Sequence, residues 1–164
     1  MFTRSSPFFS STCLSLALLV SSSVSAQTAG ADGVVKVQSA YSMDETISRI
    51  KQDIAGKGIM FFSEVDQSRL DVSAGIALRR STLLSFGNPA LGSQFITSNP
   101  QAGLDWPVRL LVQEDDQGKV WASYTDFAWI AKRHGITDRE QQFKTASGVV
   151  DSITASITVS VKAK

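Results

Sequence analysis

The chain has 164 residues, with 16 lysines and arginines against 15 aspartates and glutamates, a single histidine and a single cysteine. This balance argues against nucleic acid or an anionic membrane as the main partner, since both demand clustered Lys and Arg. Cys13 falls in the leader described next, so the body of the protein has no thiol for a disulfide, a thiolate nucleophile or a sulfur-rich metal site.

Residues 1–26 read as a secretory signal peptide: a cation at Arg4, an apolar run from Leu14 to Val20, and a small-residue ending at Val24-Ser25-Ala26. The run is far short of the ~20 apolar residues that span a bilayer as a helix, so no membrane span is expected after cleavage. The protein is therefore expected to be exported, periplasmic or secreted. Residues 27–33 are small and polar, as in a flexible leader, and residues 34–164 form a single domain.

Val34 to Ser39 suits a first strand, and Ser42-Met43-Asp44-Glu45 is a capping box that starts a helix. Met43, Ile47, Ile50 and Ile54 form its apolar stripe, and Gly58 stops it. Ile59 to Val65 is almost continuously apolar, the pattern of a central strand covered on both faces. Asp66 is placed to cap a short helix to about Ala74, and Ser81 to Phe86 is a further strand. It runs into Gly87-Asn88-Pro89, a strand-to-helix corner whose asparagine caps and whose proline fits the first helical turn, predicting a helix to about Thr97.

Ser98 to Pro107 is rich in breakers and is expected to be an irregular surface loop with Trp106 partly exposed. Val108 to Val112 and Val120 to Tyr124 alternate as strands, joined by Asp115-Asp116-Gln117-Gly118 as a hairpin. Asp126 caps a helix ending at Gly135. Thr137-Asp138-Arg139-Glu140 has the form of a second capping box, followed by an apolar stripe of Phe143, Ala146, Val150, Ile153 and Ile157. From Ile153 to Val161 a period of two supports a strand as well as a helix. The capping box and the lack of a turn signal favour helix to about Ser160. The pattern gives an α+β class: one compact domain, a small mixed sheet and helices packed against it, including a C-terminal helix.

Three segments together, Leu83-Leu84-Ser85-Phe86-Gly87-Asn88-Pro89, the hairpin Leu111 to Tyr124, and Asp126 to Gly135, give the chain its resemblance to the bacterial domain of unknown function 302 family, over about residues 34–160. The resemblance implies a compact α+β domain that commonly pairs as a homodimer, in a family where some members are associated with haem. It brings no established catalytic role and no ligand motif that maps onto these residues.

Four residues stand out as ligand-binding candidates. His134 is the sole imidazole, at a helix end where the dipole favours its cation; a structural role there competes with ligation. With one histidine and no cysteine, a structural zinc site within one chain is not expected. Haem needs only one or two axial ligands, and His134, Tyr124, Tyr41, Met43 and Met60 have the chemistry. Asn88 sits at a helix start that could take an anion or be a plain capped turn. Trp106 is a candidate contact for another envelope protein, or with Trp121, Trp129, Phe61, Phe62 and Phe127 a wall of an apolar pocket.

Catalytic signatures are sparse. Many serines accompany His134 but none lies in a nucleophile elbow, and no phosphate-cradling or dinucleotide glycine motif occurs. Glu64, Asp66 and Asp71 cluster in sequence, yet Asp66 is required as a cap. The expectation is a non-catalytic domain that binds a small apolar ligand, with haem the most specific candidate. An envelope interaction module and a hydrolase with an unrecognised site are the alternatives.

Overall fold

A computed structural model describes residues 29–159; the signal-peptide reading, Cys13 and the end of the chain beyond Val159 lie outside them. Strands β1 (Val34–Gln38), β2 (Met60–Asp66), β3 (Ser81–Gly87), β4 (Val108–Glu114) and β5 (Val120–Thr125) form one sheet in the order β1-β5-β4-β3-β2. Every neighbouring pair is antiparallel. The sheet is thus not mixed: β1 and β2, the strands joined by the first helix, occupy opposite edges and never pair.

Alternation along the strands divides the sheet into two faces. Val35 and Val37 on β1, Ala122 and Tyr124 on β5, Leu110 and Val112 on β4, and Leu84 and Phe86 on β3 share one face and are buried. Against them lie Met43, Ile50 and Ile54 of α1 (Met43–Gly56) and Phe143, Ala146, Val150 and Ile153 of α5 (Glu140–Ala155). Burying each such large side chain contributes ~1.5–3 kcal/mol. The other face carries Lys36, Arg109, Gln113 and Trp121, with Leu83 and Leu111 half-buried among them.

Local signals set most element boundaries. Ser42 Oγ accepts from the Glu45 amide, and Asp126 Oδ1 accepts from the Trp129 amide at 2.7 Å to start α4 (Phe127–Arg133). Asp66 Oδ1 accepts from the Arg69 amide at 2.9 Å to open α2 (Gln67–Ser73). In the hairpin, Asp115 Oδ1 accepts from the amides of Gln117 and Lys119 at 2.9 Å each, its Oδ2 accepts from Trp121 Nε1 at 2.8 Å, and Gly118 takes φ +72°. One carboxylate thereby satisfies the turn and orients the tryptophan.

Several expectations are corrected. β2 is an edge strand, not a central one, and each of its residues is exposed. Its apolar composition is partly screened by α1, where Lys51 lies over the Phe61 ring and pairs with Glu64 at 2.7 Å, a charged blunting suited to an edge. Just before β1 a turn closes between the Gly33 amide and the Gly30 carbonyl, and Gly33 packs on Trp129. The Ser98–Pro107 loop contains a regular 3₁₀ helix, Pro100–Asp105, capped by Asn99.

The second capping box does not form. α5 begins at Glu140 with Arg139 as an N-cap that makes no side-chain cap bond, and the Asp138 carboxylate instead accepts from Ser98 Oγ at 2.6 Å and from Arg139. At its other end α5 stops at Ala155, short of Ser160, and the chain turns rather than entering a strand. There the Ile157 carbonyl accepts from the Ala40 amide at 2.9 Å, and the Ile157 side chain is fully buried. A contact distant in sequence takes the carbonyl that a longer helix would have used.

Candidate binding cavity

The turn at Gly87-Asn88 carries the chain off the end of β3 into α3 (Pro89–Ser98). Asn88 Oδ1 accepts from the Ala90 and Leu91 amides at 2.9 and 3.3 Å, and Pro89 occupies the first turn. α3 is thus launched across the end of the sheet and meets α5, where the Phe95 and Phe143 rings stack with centroids 4.2 Å apart. Between the sheet end, α3, α5 and the last turn of α1 lies a cavity of about 710 Å³, within the size range of small-molecule sites.

Its walls are apolar: Phe86, Leu91, Phe95, Trp106, Val108 and Val149 lead the lining. Its rim is polar, with Asn88, Gln94, Gln142 and Thr145, and Lys57 is the sole ionisable side chain among the lining residues. Lys57 Nζ pairs with Asp53 one turn back on α1 at 2.5 Å.

Trp106 forms one wall, and two glycines make room for it. A Cβ at Gly87 or at Gly92 would overlap the indole, so the ring lies close against the backbone of the β3 end and of α3. Gly92 is in the interior of a helix, where glycine costs ~1 kcal/mol relative to alanine. Close approach of the indole accounts for its presence. The rest of the Trp106 environment is fixed from behind, since Asp105, its neighbour, is a buried hub. Asp105 Oδ2 accepts from His134 Nε2 at 2.6 Å, Arg133 Nη1 donates to the same carboxylate at 3.2 Å, and Arg109 approaches at 3.5 Å. Asn99 Nδ2 also donates to the His134 carbonyl at 2.8 Å. The 3₁₀ segment is pinned to the end of α4, which holds Trp106 at the cavity.

Of the four candidates from sequence, Asn88 and Trp106 line the cavity and His134 and Tyr124 do not. Asn88 serves there as the α3 cap, and Trp106 is half-buried with its ring packed internally, not free as a surface anchor. His134 has a side chain only 4% exposed and Nε2 committed to Asp105. Tyr124 is a core residue whose hydroxyl donates to Asp151 Oδ1 at 2.8 Å; burial, then that hydrogen bond, hold its pKa well above the usual tyrosine range. The other axial candidates fare no better: Met43 is 1% exposed in the core, Tyr41 lies under the Arg49 guanidinium, Met60 is on the outer edge, and none lines the cavity. The cavity walls therefore hold no axial donor suited to haem iron.

Among the described residues no group of three or more His, Cys, Asp or Glu side chains could hold a metal ion, and no helix is long and apolar enough to cross a membrane. No hydroxyl is hydrogen-bonded to the His134 ring among them, and Glu64 and Asp66 are engaged with Lys51 and with Ser68 and Arg69. Sequence reasoning missed Lys57, Leu91, Gln94, Phe95, Gln142 and Val149 as cavity residues. The one available signal was glycine at position 92 inside a helix.

Fold and cavity define the class: an α+β domain with a five-stranded antiparallel sheet, helices on one face, and an apolar pocket at the sheet end with no catalytic constellation in its walls. The chain belongs to the family described as domain of unknown function DUF302, which matches residues 35–153. A solved structure, that of an uncharacterized conserved protein DUF302 from Bacillus stearothermophilus, has the same fold, with a TM-score of 0.70, 13% identity, and coverage of 76% of this chain and 98% of that one.

Relatives of higher identity are larger. The fluoride-specific ion channel FluC 1 of Brucella suis biovar 1 is 38% identical over 104 residues, 63% of this chain and 41% of that protein. The protein of the same name from Brucella abortus biovar 1 is 38% identical over the same length, 38% of its own chain. This chain thus spans about two-fifths of the length of these relatives.

Proposed function

We propose that this protein is an exported, non-catalytic binding domain whose ligand is a small, largely apolar molecule held in the cavity between the sheet end, α3 and α5. One observation carries the reading: Gly87 and Gly92 are both bare where the Trp106 indole lies, so the backbone is shaped to place an aromatic wall on an apolar cavity of about 710 Å³. A site that encloses ligand this way gains affinity from apolar area removed from water. The test is displacement of a solvent-sensitive naphthalene dye from the purified protein. Saturable dye binding, weakened tenfold or more by Val149→Trp with thermal stability retained, is the expected result. Dye uptake that is unaffected by Val149→Trp defeats the reading. Export is tested on the same preparation: mass spectrometry of the secreted chain is expected to give Gln27 as its first residue.

A second reading is favoured by the match to part of two proteins named as fluoride-specific ion channels. In it the domain works beside another envelope protein, or a second copy of itself, through the sheet face that bears Leu83, Leu111 and Trp121. A half-buried tryptophan on the same sheet face as two half-buried leucines, themselves paired across β3 and β4, is the composition of an interface centre. Sedimentation of the purified chain, alone and with a co-expressed fluoride channel, distinguishes these partners. A monomer in both experiments that Trp121→Lys does not alter sets this reading aside.

A further inference from the structure

Among the residues that line the cavity one carries a charge, Lys57, and it is positive. Lys57 lies at the C-terminal end of α1 with its ammonium beside Asp53, whereas the polar lining residues from the Gly87-Asn88 turn, α3 and α5 are all neutral: Asn88, Gln94, Gln142 and Thr145. No carboxylate lines the cavity. Asp53, the acid paired with the ammonium, lies on α1 and is 26% exposed at its side chain, so the pairing is a partly solvated i,i+4 contact of modest strength. A lysine stem can follow apolar surface while the ammonium stays at the water boundary. The walls therefore favour an apolar body, and the mouth favours an anion over a cation.

Resting on the cavity reading above, we infer that the ligand class is an anionic amphiphile: a single-chain or aromatic carboxylate whose apolar part lies against Trp106, Phe95 and Val149 and whose head group meets Lys57. The side-chain amides of Gln94 and Gln142 add neutral hydrogen-bonding capacity to the lining. A cationic amphiphile of the same length would bring its charge to the Lys57 ammonium and be repelled.

The probes are decanoate, decanol and decylammonium, titrated calorimetrically into the full purified protein below their aggregation concentrations. Decanoate is expected to bind at least tenfold more tightly than decylammonium. Lys57→Gln should weaken decanoate about tenfold while leaving decanol within twofold, and Lys57→Arg should keep decanoate affinity. Asp53→Asn, which removes the competing carboxylate, should tighten decanoate severalfold. If all three probes bind with similar affinity, or if Lys57→Gln leaves decanoate unchanged, the anionic class is wrong while the cavity reading survives. If none of the three binds, and the naphthalene dye does not bind either, both fall together.

Discussion

Asp105 and His134 meet at 2.6 Å with each side chain only 4% exposed, and the two residues belong to segments that the sequence separates by a hairpin and a helix. The carboxylate accepts from the imidazole Nε2, and the guanidiniums of Arg133 and Arg109 approach the same acid from outside, 44% and 56% exposed. Through this pair the chain just before Trp106 is fastened to the end of α4.

The hub predicts an order of costs. Asp105→Ala leaves the buried imidazole and Arg133 without their carboxylate acceptor, so the loss is expected at ~3 kcal/mol or more. Arg133→Ala removes a half-exposed arm and its contact over the Trp129 ring and is expected to cost about 1 kcal/mol. Urea unfolding of the two variants measures both. Equal losses would show that the carboxylate is not the centre of the cluster.

The contact between Gly92 and Trp106 predicts a reversal of the usual helix rule. Glycine to alanine in a helix interior ordinarily stabilises by ~1 kcal/mol, but a methyl at position 92 would overlap the indole. Gly92→Ala is therefore expected to destabilise by ~1–3 kcal/mol, the usual range for overpacking. In a Trp106→Ala background the same change should become neutral or favourable. A double-mutant cycle reads the coupling, and additive effects would place the strain elsewhere.

Alkaline pH is expected to weaken the fold through Tyr124. Burial and the hydrogen bond to Asp151 raise its pKa in the folded protein, so an unfolded chain ionises this phenol from about pH 10 while the folded one keeps it neutral. The contribution is present below that pH and declines as pH rises above it. Tyr124→Phe should cost ~1 kcal/mol at neutral pH through the lost hydrogen bond and show a shallower loss above pH 10. Parallel pH profiles for the two proteins would contradict the assignment.

The acid limb has the opposite sign. The hydrogen bond from Trp121, then those from the Lys119 and Gln117 amides, hold the Asp115 pKa below the usual carboxylate range. Its contribution is present at neutral pH and is lost as pH falls through that depressed value. Asp115→Asn is expected to flatten the acid limb of the stability curve and to loosen the hairpin, read as faster amide exchange at Gln117 and Lys119. Unchanged exchange at both amides would count against this role.

A buried hydroxyl pair gives a further test. Ser39 Oγ and Thr46 Oγ1 are 2.7 Å apart, and Ser39 Oγ also accepts from the Tyr41 amide at 3.1 Å. Ser39→Ala removes the acceptor of the Tyr41 amide and leaves Thr46 Oγ1 with only its long 3.5 Å contact to the Tyr41 carbonyl, and is expected to cost ~1–3 kcal/mol. Adding Thr46→Val to that variant should cost less than Thr46→Val alone, as the calorimetric melting temperatures of the three variants would show.

Features decided within a few residues were legible in the sequence: the caps at Ser42, Asn88 and Asp126, the turn from Asp115 to Gly118, the apolar stripes of α1 and α5, and the α+β class with its family. Each depends on a side chain satisfying a backbone group nearby, or on a repeat that marks one face. Tertiary structure decided what depends on distant neighbours. An apolar run such as Met60 to Val65 has the same pattern at the edge as at the centre, and only the pairing order places it. The box at Thr137 goes unused because α5 starts only at Glu140, with Arg139 in the cap position, and α5 yielded its last turn to the Ala40 amide. The cavity arises where α1, α3 and α5 converge on the sheet end; no single segment encodes it, because a cavity is the space left between elements and its lining is drawn from whichever side chains packing brings to that boundary.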